Sequence, residues 1–134
     1  MKKESNGKQL LKSQENMKTI ICDIDGTLVK YLKNHIGIIT KGHTPLPGVI
    51  QRMNDWENMG HKIILVTGRR ESLREITEKG LTNLGIPFDH LIMGCADEGR
   101  ILINDENTKV KAHAVSLKRD EGFNNYDWSK VELK

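Results

Sequence analysis

The feature that most constrains the fold is the apolar run Ile20–Cys22, which leads directly into Asp23-Ile24-Asp25-Gly26-Thr27. A β-branched run with a glycine behind it predicts a buried strand that ends in a loop. In an open α/β sheet, ligands bind at the carboxyl ends of strands, so this loop is a candidate site. Two carboxylates this close repel each other, and a bound Mg²⁺ would offset the repulsion. A solvated Asp-x-Asp-Gly turn is the alternative for these residues alone.

The rest of the chain alternates short apolar runs with stretches of helical period. Strands are predicted at residues 19–22, 62–66, 90–93, 101–103 and 113–117, and helices at 49–59 and 71–84. Such alternation predicts βαβ units, a parallel sheet and right-handed crossovers. The expected fold class is therefore α/β, with one domain over residues 18–120. Residues 1–17 are predicted to form a disordered or fraying polar arm, and residues 121–134 a surface loop or tail.

Composition limits the classes of partner. The net charge of +3 is modest, and residues 1–17 contribute +2 of it through four lysines and two glutamates. The nearly neutral remainder argues against a nucleic-acid partner. Cys22 and Cys95 lack metal-ligand spacing and are expected to be free thiols in a reducing compartment. No apolar run has the roughly 18 residues of a membrane span, and no signal peptide is evident, so a cytoplasmic location is expected.

Two further predicted strands end in residues that could bind a phosphate or a metal ion. Ile63–Val66 leads to Thr67-Gly68-Arg69, and Ile101–Ile103 leads to Asn104-Asp105. Because parallel strands end at the same sheet edge, both segments are expected near Asp23. A hydroxyl, backbone N–H groups and a nearby helix start suit a phosphate, and Asp105 would join Asp23 on a divalent cation. The alternatives are a helix cap at Thr67 and a surface turn at Asp105.

These three segments resemble motifs one, two and four of the haloacid dehalogenase-like (HAD) hydrolase superfamily. Asp23–Thr27, Leu65–Arg69 and Leu102–Asp105 match in order and separation, and the resemblance covers about residues 18–120. It implies a Rossmann-like three-layer sandwich whose mostly parallel sheet has about five strands in the order 5-4-1-2-3. Residues 28–43 leave room for only a short hairpin, and residues 94–100 for no cap domain. A capless member with an open site is therefore expected.

The resemblance also implies an activity: Mg²⁺-dependent hydrolysis of a phosphomonoester through an aspartyl-phosphate. Asp23 would be the nucleophile and Asp25 the general acid and base, while Thr67 would hold the transferring phosphoryl group. Mg²⁺ would be bound by Asp23, Asp105 and Asp25, the last through its backbone carbonyl. The residues expected to bind substrate are Gly26, Thr27, Gly68, Arg69 and Lys109.

The chain departs from the family pattern at the third motif, where a lysine normally neutralises the aspartyl-phosphate. No lysine occurs between Lys79 and Lys109. Arg69, Lys109 and Lys111 are the candidate replacements. Arg100 is not expected to serve, because it begins a predicted strand at the end far from the site.

Several functional alternatives stay open. A small-molecule phosphate ester, such as a sugar phosphate, is the favoured substrate class, and a polynucleotide 3′-phosphate is the alternative within enzymes. A homo-oligomer could cover the open site. A non-catalytic phosphate-binding or regulatory domain is the alternative outside enzymes, because the missing lysine could disable turnover.

Overall fold

The computed structural model describes residues 17–106 and 109–133. The predicted N-terminal arm lies outside these residues except for Met17. The elements in chain order are strand β1 (Thr19–Asp23), helix α1 (His35–Lys41), helix α2 (Val49–Asn58), strand β2 (Lys62–Val66), a 3₁₀ turn (Glu71–Leu73), helix α3 (Arg74–Asn83), strand β3 (His90–Ile92) and a 3₁₀ turn (Trp128–Val131).

The described strands form one parallel sheet in the order β1-β2-β3. Register pairs Cys22 with Leu65 and Leu65 with Leu91. These three side chains are buried, together with Ile63. The α/β class, the parallel sheet and the absence of a cap domain between the described elements agree with the expected fold. The strand order is the 1-2-3 part of the order that the resemblance implied.

The strands expected at 101–103 and 113–117 are wrong for this structure, because both segments are described and neither contains a strand. Ile101 and Ile103 are 90% and 87% exposed. An apolar strand is stabilised by burial against neighbours, and here these side chains lie in solvent. The second face of the sheet is correspondingly open, with Ile21 52% and Ile92 49% exposed.

A short helix replaces the hairpin expected between residues 28 and 43. Asn34 caps α1, because its side chain accepts a hydrogen bond from Gly37 N–H at 2.9 Å. Asparagine is among the preferred N-cap residues because it satisfies an N–H that has no partner inside the helix. The chain returns toward the sheet through an antiparallel bridge between Val29 and Pro45.

The two longer helices follow the apolar periodicity of the sequence. Helix α2 buries Val49, Met53 and Trp56, and helix α3 buries Thr77 and Leu81. These positions recur at intervals of three and four residues, which places them on one helix face. None of the helices among the described residues is long and apolar enough to cross a membrane.

The C-terminal segment is part of the core rather than a surface tail. Phe123 and Trp128 are 1% and 7% exposed, and their rings pack on Trp56 with centroid distances of 5.6 and 5.0 Å. Gly122 allows the close approach, because its φ is 79° and a Cβ there would overlap the backbone of Pro47. The aromatic residues of this loop do not recur with a helix or strand period, so the sequence pattern does not predict this packing.

Trp128→Ala is expected to destabilise the protein by about 3–5 kcal/mol, because it removes a buried indole from this aromatic cluster. Urea unfolding followed by circular dichroism measures the change. Ile101→Ala, at a position 90% exposed, is the control and should leave the midpoint unchanged. Equal midpoints for Trp128→Ala and wild type would show that the C-terminal segment is not packed in solution.

Candidate active site

The site lies at the carboxyl edge of the sheet. Asp23 is the last residue of β1 and is in register with Val66, the last residue of β2. Thr67 directly follows Val66, so the two motifs meet at this edge as the sequence predicted. Thr27 donates its hydroxyl hydrogen bond to Asp23 Oδ2 at 3.3 Å, which links the loop after β1 back to its strand.

Asp23 is paired with an unexpected cation. Arg100 Nη1 donates to Asp23 Oδ1 at 3.1 Å, and the two side chains are 45% and 37% exposed. The sequence interpretation placed Arg100 at the far end of a strand. That placement is wrong, because residues 101–103 form no strand and Arg100 reaches the site from a loop. An exposed pair of this kind is weak and readily exchanged for another ligand.

Asp25 is held by a buried arginine. Arg69 Nε and Nη2 donate to the two Asp25 carboxylate oxygens at 3.0 and 2.7 Å. Arg69 is only 4% exposed, and its Nη1 also bonds the Thr77 hydroxyl at 2.9 Å. Bidentate geometry of this kind fixes both position and orientation of a carboxylate. Arg69, expected to bind substrate, is therefore chiefly the anchor of Asp25 in this structure.

His43 completes the Arg69 network. Arg69 Nη1 lies 2.8 Å from His43 Nε2. A guanidinium can only donate, so Nε2 must accept and the ring proton is on Nδ1. Burial lowers the pKa of His43, the positive charge of Arg69 lowers it further, and Asp25 acts in the opposite direction. The imidazole is therefore held in its neutral form.

Sequence reasoning did not identify His43 or Thr77 as parts of the site. The available signal was Gly80, a glycine inside a helix where alanine is about 1 kcal/mol more favourable. A Cβ on Gly80 would overlap the His43 ring. The glycine thus leaves space for the histidine that bonds Arg69, and Thr77 lies one turn earlier on the same helix.

Thr67 and Gly68 connect the site to the loop after β3. The Thr67 hydroxyl accepts the Arg69 backbone N–H at 3.1 Å, and the residue is 1% exposed. Its backbone carbonyl accepts from Cys95 N–H at 2.9 Å. Gly68 has no side chain to block this approach, since a Cβ there would lie 2.7 Å from Asp97 Oδ1.

Asp105 was expected to bind the metal and Lys109 the substrate. Both residues are exposed in the segment after Arg100. Among the described residues, no group of three or more histidine, cysteine or acidic side chains is arranged to hold a metal ion. Mg²⁺ requires few protein carboxylates when substrate and water supply the remaining oxygens, and the accessible Asp23 carboxylate fits that requirement.

Cys22 lies beside the site but is not a reactive thiol. It is a free thiol, as is Cys95. Burial raises the pKa of Cys22 to about 12, with the charge of Asp23 acting in the same direction and Arg100 in the other. A thiol that stays protonated at neutral pH is a poor nucleophile.

The parallel sheet and the aspartates at its carboxyl edge agree with the resemblance to the HAD superfamily. The chain belongs to the family described as the polynucleotide kinase PNKP phosphatase domain, whose model matches residues 17–114. No protein with a curated function gives a significant match.

Solved structures show the same relationship. A chain in the structure of a Pnkp1/Rnl/Hen1 complex is 30% identical over 63% of this chain, with a TM-score of 0.51. A second chain, from a Pnkp1/Rnl/Hen1 RNA repair complex, gives 30% identity, 63% coverage and a TM-score of 0.52. This chain spans 30% and 28% of their lengths.

A more distant similarity is to D,D-heptose 1.7-bisphosphate phosphatase from B. bronchiseptica, solved with magnesium and phosphate. It is 19% identical, covering 63% of this chain and 54% of that one, with a TM-score of 0.45. A similarity at this level supports no statement about function.

Arg69→Met is expected to destabilise the protein by about 3 kcal/mol, because it leaves the Asp25 carboxylate without its buried partner. Chemical denaturation measures the loss. Arg74→Met is the matched control, since Arg74 pairs with Glu71 and Glu78 on the surface. Should both variants unfold at the same denaturant concentration, the Arg69–Asp25 pair would not be a structural anchor.

Stability should fall on acidification because of His43. In the unfolded chain a histidine titrates near pH ~6.5, above the lowered pKa of His43 in the fold. The unfolded state therefore binds more protons between these two values, and stability rises with pH across that window. The contribution is complete above pH ~6.5 and is lost as the pH falls toward the folded pKa.

Urea midpoints at pH 7.0 and 5.5 measure this effect in wild type, His43→Gln and His113→Gln. The loss between the two pH values should shrink in His43→Gln and persist in His113→Gln, since His113 is exposed. An unchanged loss in His43→Gln would contradict a neutral, partly buried His43.

Proposed function

We propose that this chain is a Mg²⁺-dependent phosphomonoester hydrolase that acts on the 3′-phosphate end of a polynucleotide. The observation that carries the proposal is the meeting of Asp23, Asp25 and Thr67 at one sheet edge, in a chain of the PNKP phosphatase domain family. The contacts of each side chain support a separate role in catalysis.

Asp23 is the proposed nucleophile. Its carboxylate is 37% exposed and is fixed on one oxygen by the Thr27 hydroxyl. In the first step a carboxylate oxygen forms a bond to phosphorus, and the bond from phosphorus to the leaving 3′-oxygen breaks. Arg100, 3.1 Å from Asp23 Oδ1, is the cation that we assign to the place of the missing lysine. The charge on the aspartyl-phosphate would be offset there.

Asp25 is the proposed general acid and base. It gives a proton to the leaving 3′-oxygen and then takes one from the water that attacks the phosphorus of the aspartyl-phosphate. The bond from phosphorus to the Asp23 oxygen breaks in this second step, which releases inorganic phosphate and regenerates the Asp23 carboxylate. Arg69 orients the carboxylate for both steps through two hydrogen bonds. Because the Thr67 hydroxyl accepts the Arg69 N–H, its own proton is available to the phosphoryl oxygens.

Asp23 and the backbone carbonyl of Asp25 would hold Mg²⁺, and Asp105 is proposed as the third protein ligand. When bound, Mg²⁺ would screen the like charges of the nucleophile and the phosphate. Asp105 lies five residues beyond Arg100, so the intervening chain spans at most about 18 Å when extended. A shift of this exposed segment therefore suffices to bring Asp105 to the aspartates.

The substrate assignment rests on family membership. The near-neutral charge of the chain and the open site were also compatible with a small phosphate ester, including a sugar phosphate. The family model covers residues 17–114, and it is more specific than net charge. One similar chain comes from a structure described as the Pnkp1/Rnl/Hen1 RNA repair complex, which supports a polynucleotide end as substrate.

One observation favours the second candidate, a non-catalytic phosphate-binding domain. Both aspartates are paired with arginines, Asp23 with Arg100 and Asp25 with Arg69. These pairs occupy part of the carboxylate surface that a nucleophile or a general acid presents to its substrate. Turnover measurements separate the two candidates.

Asp23→Asn is expected to reduce phosphate release from a thymidine dinucleotide 3′-phosphate by at least about a thousandfold, because the nucleophile is lost. Wild-type turnover should require added Mg²⁺ and stop with a chelator. Asp55→Asn, on helix α2, is the control and should retain activity. Glucose 1-phosphate in the same assay tests the sugar-phosphate alternative. Phosphate binding without turnover of any ester would favour the non-catalytic domain.

A further inference from the structure

The segment that contains Arg119 and Asp120 closes over the loop that carries the aspartates. Asp120 N–H donates to the Gly26 carbonyl at 2.9 Å. The Tyr31 N–H in turn donates to Asp120 Oδ1 at 2.8 Å, across 89 residues of sequence. Asp120 therefore binds both ends of the loop that follows Asp25, and it ties the chain after residue 117 to the candidate active site.

Asp120 has the left-handed backbone conformation, with φ of 63°. This region is uncommon for residues other than glycine, although aspartate tolerates it better than most. Its two hydrogen bonds to the loop hold it there. Because the backbone is held at Asp120, the backbone of the preceding residue, Arg119, is kept beside this loop.

Arg119 lies across the residue that follows Asp25. Its guanidinium carbon is 4.0 Å from the centroid of the Tyr31 ring. Its Cγ is 3.0 Å, and its Nε 3.7 Å, from the position that a Cβ on Gly26 would occupy. Gly26 has φ of 81°, so glycine both adopts the turn and leaves the space that Arg119 fills. The arginine is thus positioned without an acidic partner.

This distinguishes Arg119 from the other arginines at the site. Arg69 and Arg100 each pair with a carboxylate. In the described part of the chain, no carboxylate forms an ion pair with Arg119, which is exposed to solvent. A guanidinium stacked on a ring keeps the N–H groups at its edge free, and their planar fork matches a phosphate.

We propose that Arg119 is a substrate-binding residue that contacts the phosphodiester next to the terminal phosphate and so selects polynucleotide ends over simple phosphate esters. The inference rests on the proposed function, because it assigns to the same site a second anionic group on the leaving side of the substrate. Tyr31 and Gly26 restrain the side chain, which reduces the entropy lost when the phosphodiester binds.

The test compares two substrates that share the same thymidine 3′-phosphate ester: a thymidine dinucleotide 3′-phosphate, which has one phosphodiester, and thymidine 3′-monophosphate, which has none. In Arg119→Met the ratio of their kcat/KM values should fall about tenfold, the effect of one charge-assisted hydrogen bond. The loss should be mainly in KM for the dinucleotide. Methionine keeps the aliphatic body that packs on Tyr31 and Gly26.

Arg52→Met is the matched control, because Arg52 also lies over an aromatic ring, 5.6 Å from the Trp128 centroid, but on helix α2. Its kcat/KM ratio should equal that of wild type. Arg119→Lys should restore part of the preference, since it keeps the charge without the planar fork. An unchanged ratio in Arg119→Met would overturn the proposal.

A binding measurement separates this proposal from the proposed function. The dissociation constant of the dinucleotide 3′-phosphate is measured by calorimetry in Asp23→Asn and in Asp23→Asn with Arg119→Met. The second protein should bind about tenfold more weakly, whether or not wild type turns over the ester. Equal dissociation constants would refute the role of Arg119. Absent turnover with weakened binding would refute only the hydrolase.

Discussion

The site depends on one buried ion pair, Arg69 with Asp25. The guanidinium reaches both carboxylate oxygens at 3.0 and 2.7 Å, and it is itself held by Thr77 and His43. A buried cation is costly unless its N–H groups are hydrogen-bonded. This single arginine therefore ties the loop after β1 to the end of the second motif, to helix α3 and to the chain before α2. The orientation of Asp25 follows from that constraint rather than from its own loop.

A second, weaker ion pair joins Arg100 to Asp23, the proposed nucleophile. Arg100 contacts Asp23 from an exposed segment, while Asp105 in the same segment stays in solvent. Family resemblance places Asp105 beside Asp23, and the structure places Arg100 there. The exposed pair leaves Asp23 accessible to solvent, whereas the buried pair keeps Asp25 in place.

Local patterns predicted much of the central fold. Residues 62–66 form β2 with the expected bounds, and β1 and β3 differ from expectation by a single residue at one end. Periodicity also located α2 and α3 closely. The strand predictions at 101–103 and 113–117 were wrong, because an apolar run forms a strand only where a neighbouring strand and a covering layer bury it. Residues 121–133 were predicted to lie on the surface, but Phe123 and Trp128 are buried. Their packing on Trp56 is a contact between distant parts of the chain, which local patterns do not encode.

Local sequence patterns are enough to place Asp23, Asp25 and Thr67 at the ends of strands, because each follows an apolar run. Parallel strands then bring these ends to one edge of the sheet. The sequence by itself also determined the superfamily, through three short motifs in order. Only the tertiary structure decided the partner of each charge. Arg69 bonds Asp25, Arg100 bonds Asp23, and Arg119 lies over Tyr31 with no ion pair to a carboxylate in the described part of the chain. Spacing along the chain encodes local geometry, whereas the choice among several arginines depends on burial and on hydrogen-bond directions that exist only after folding.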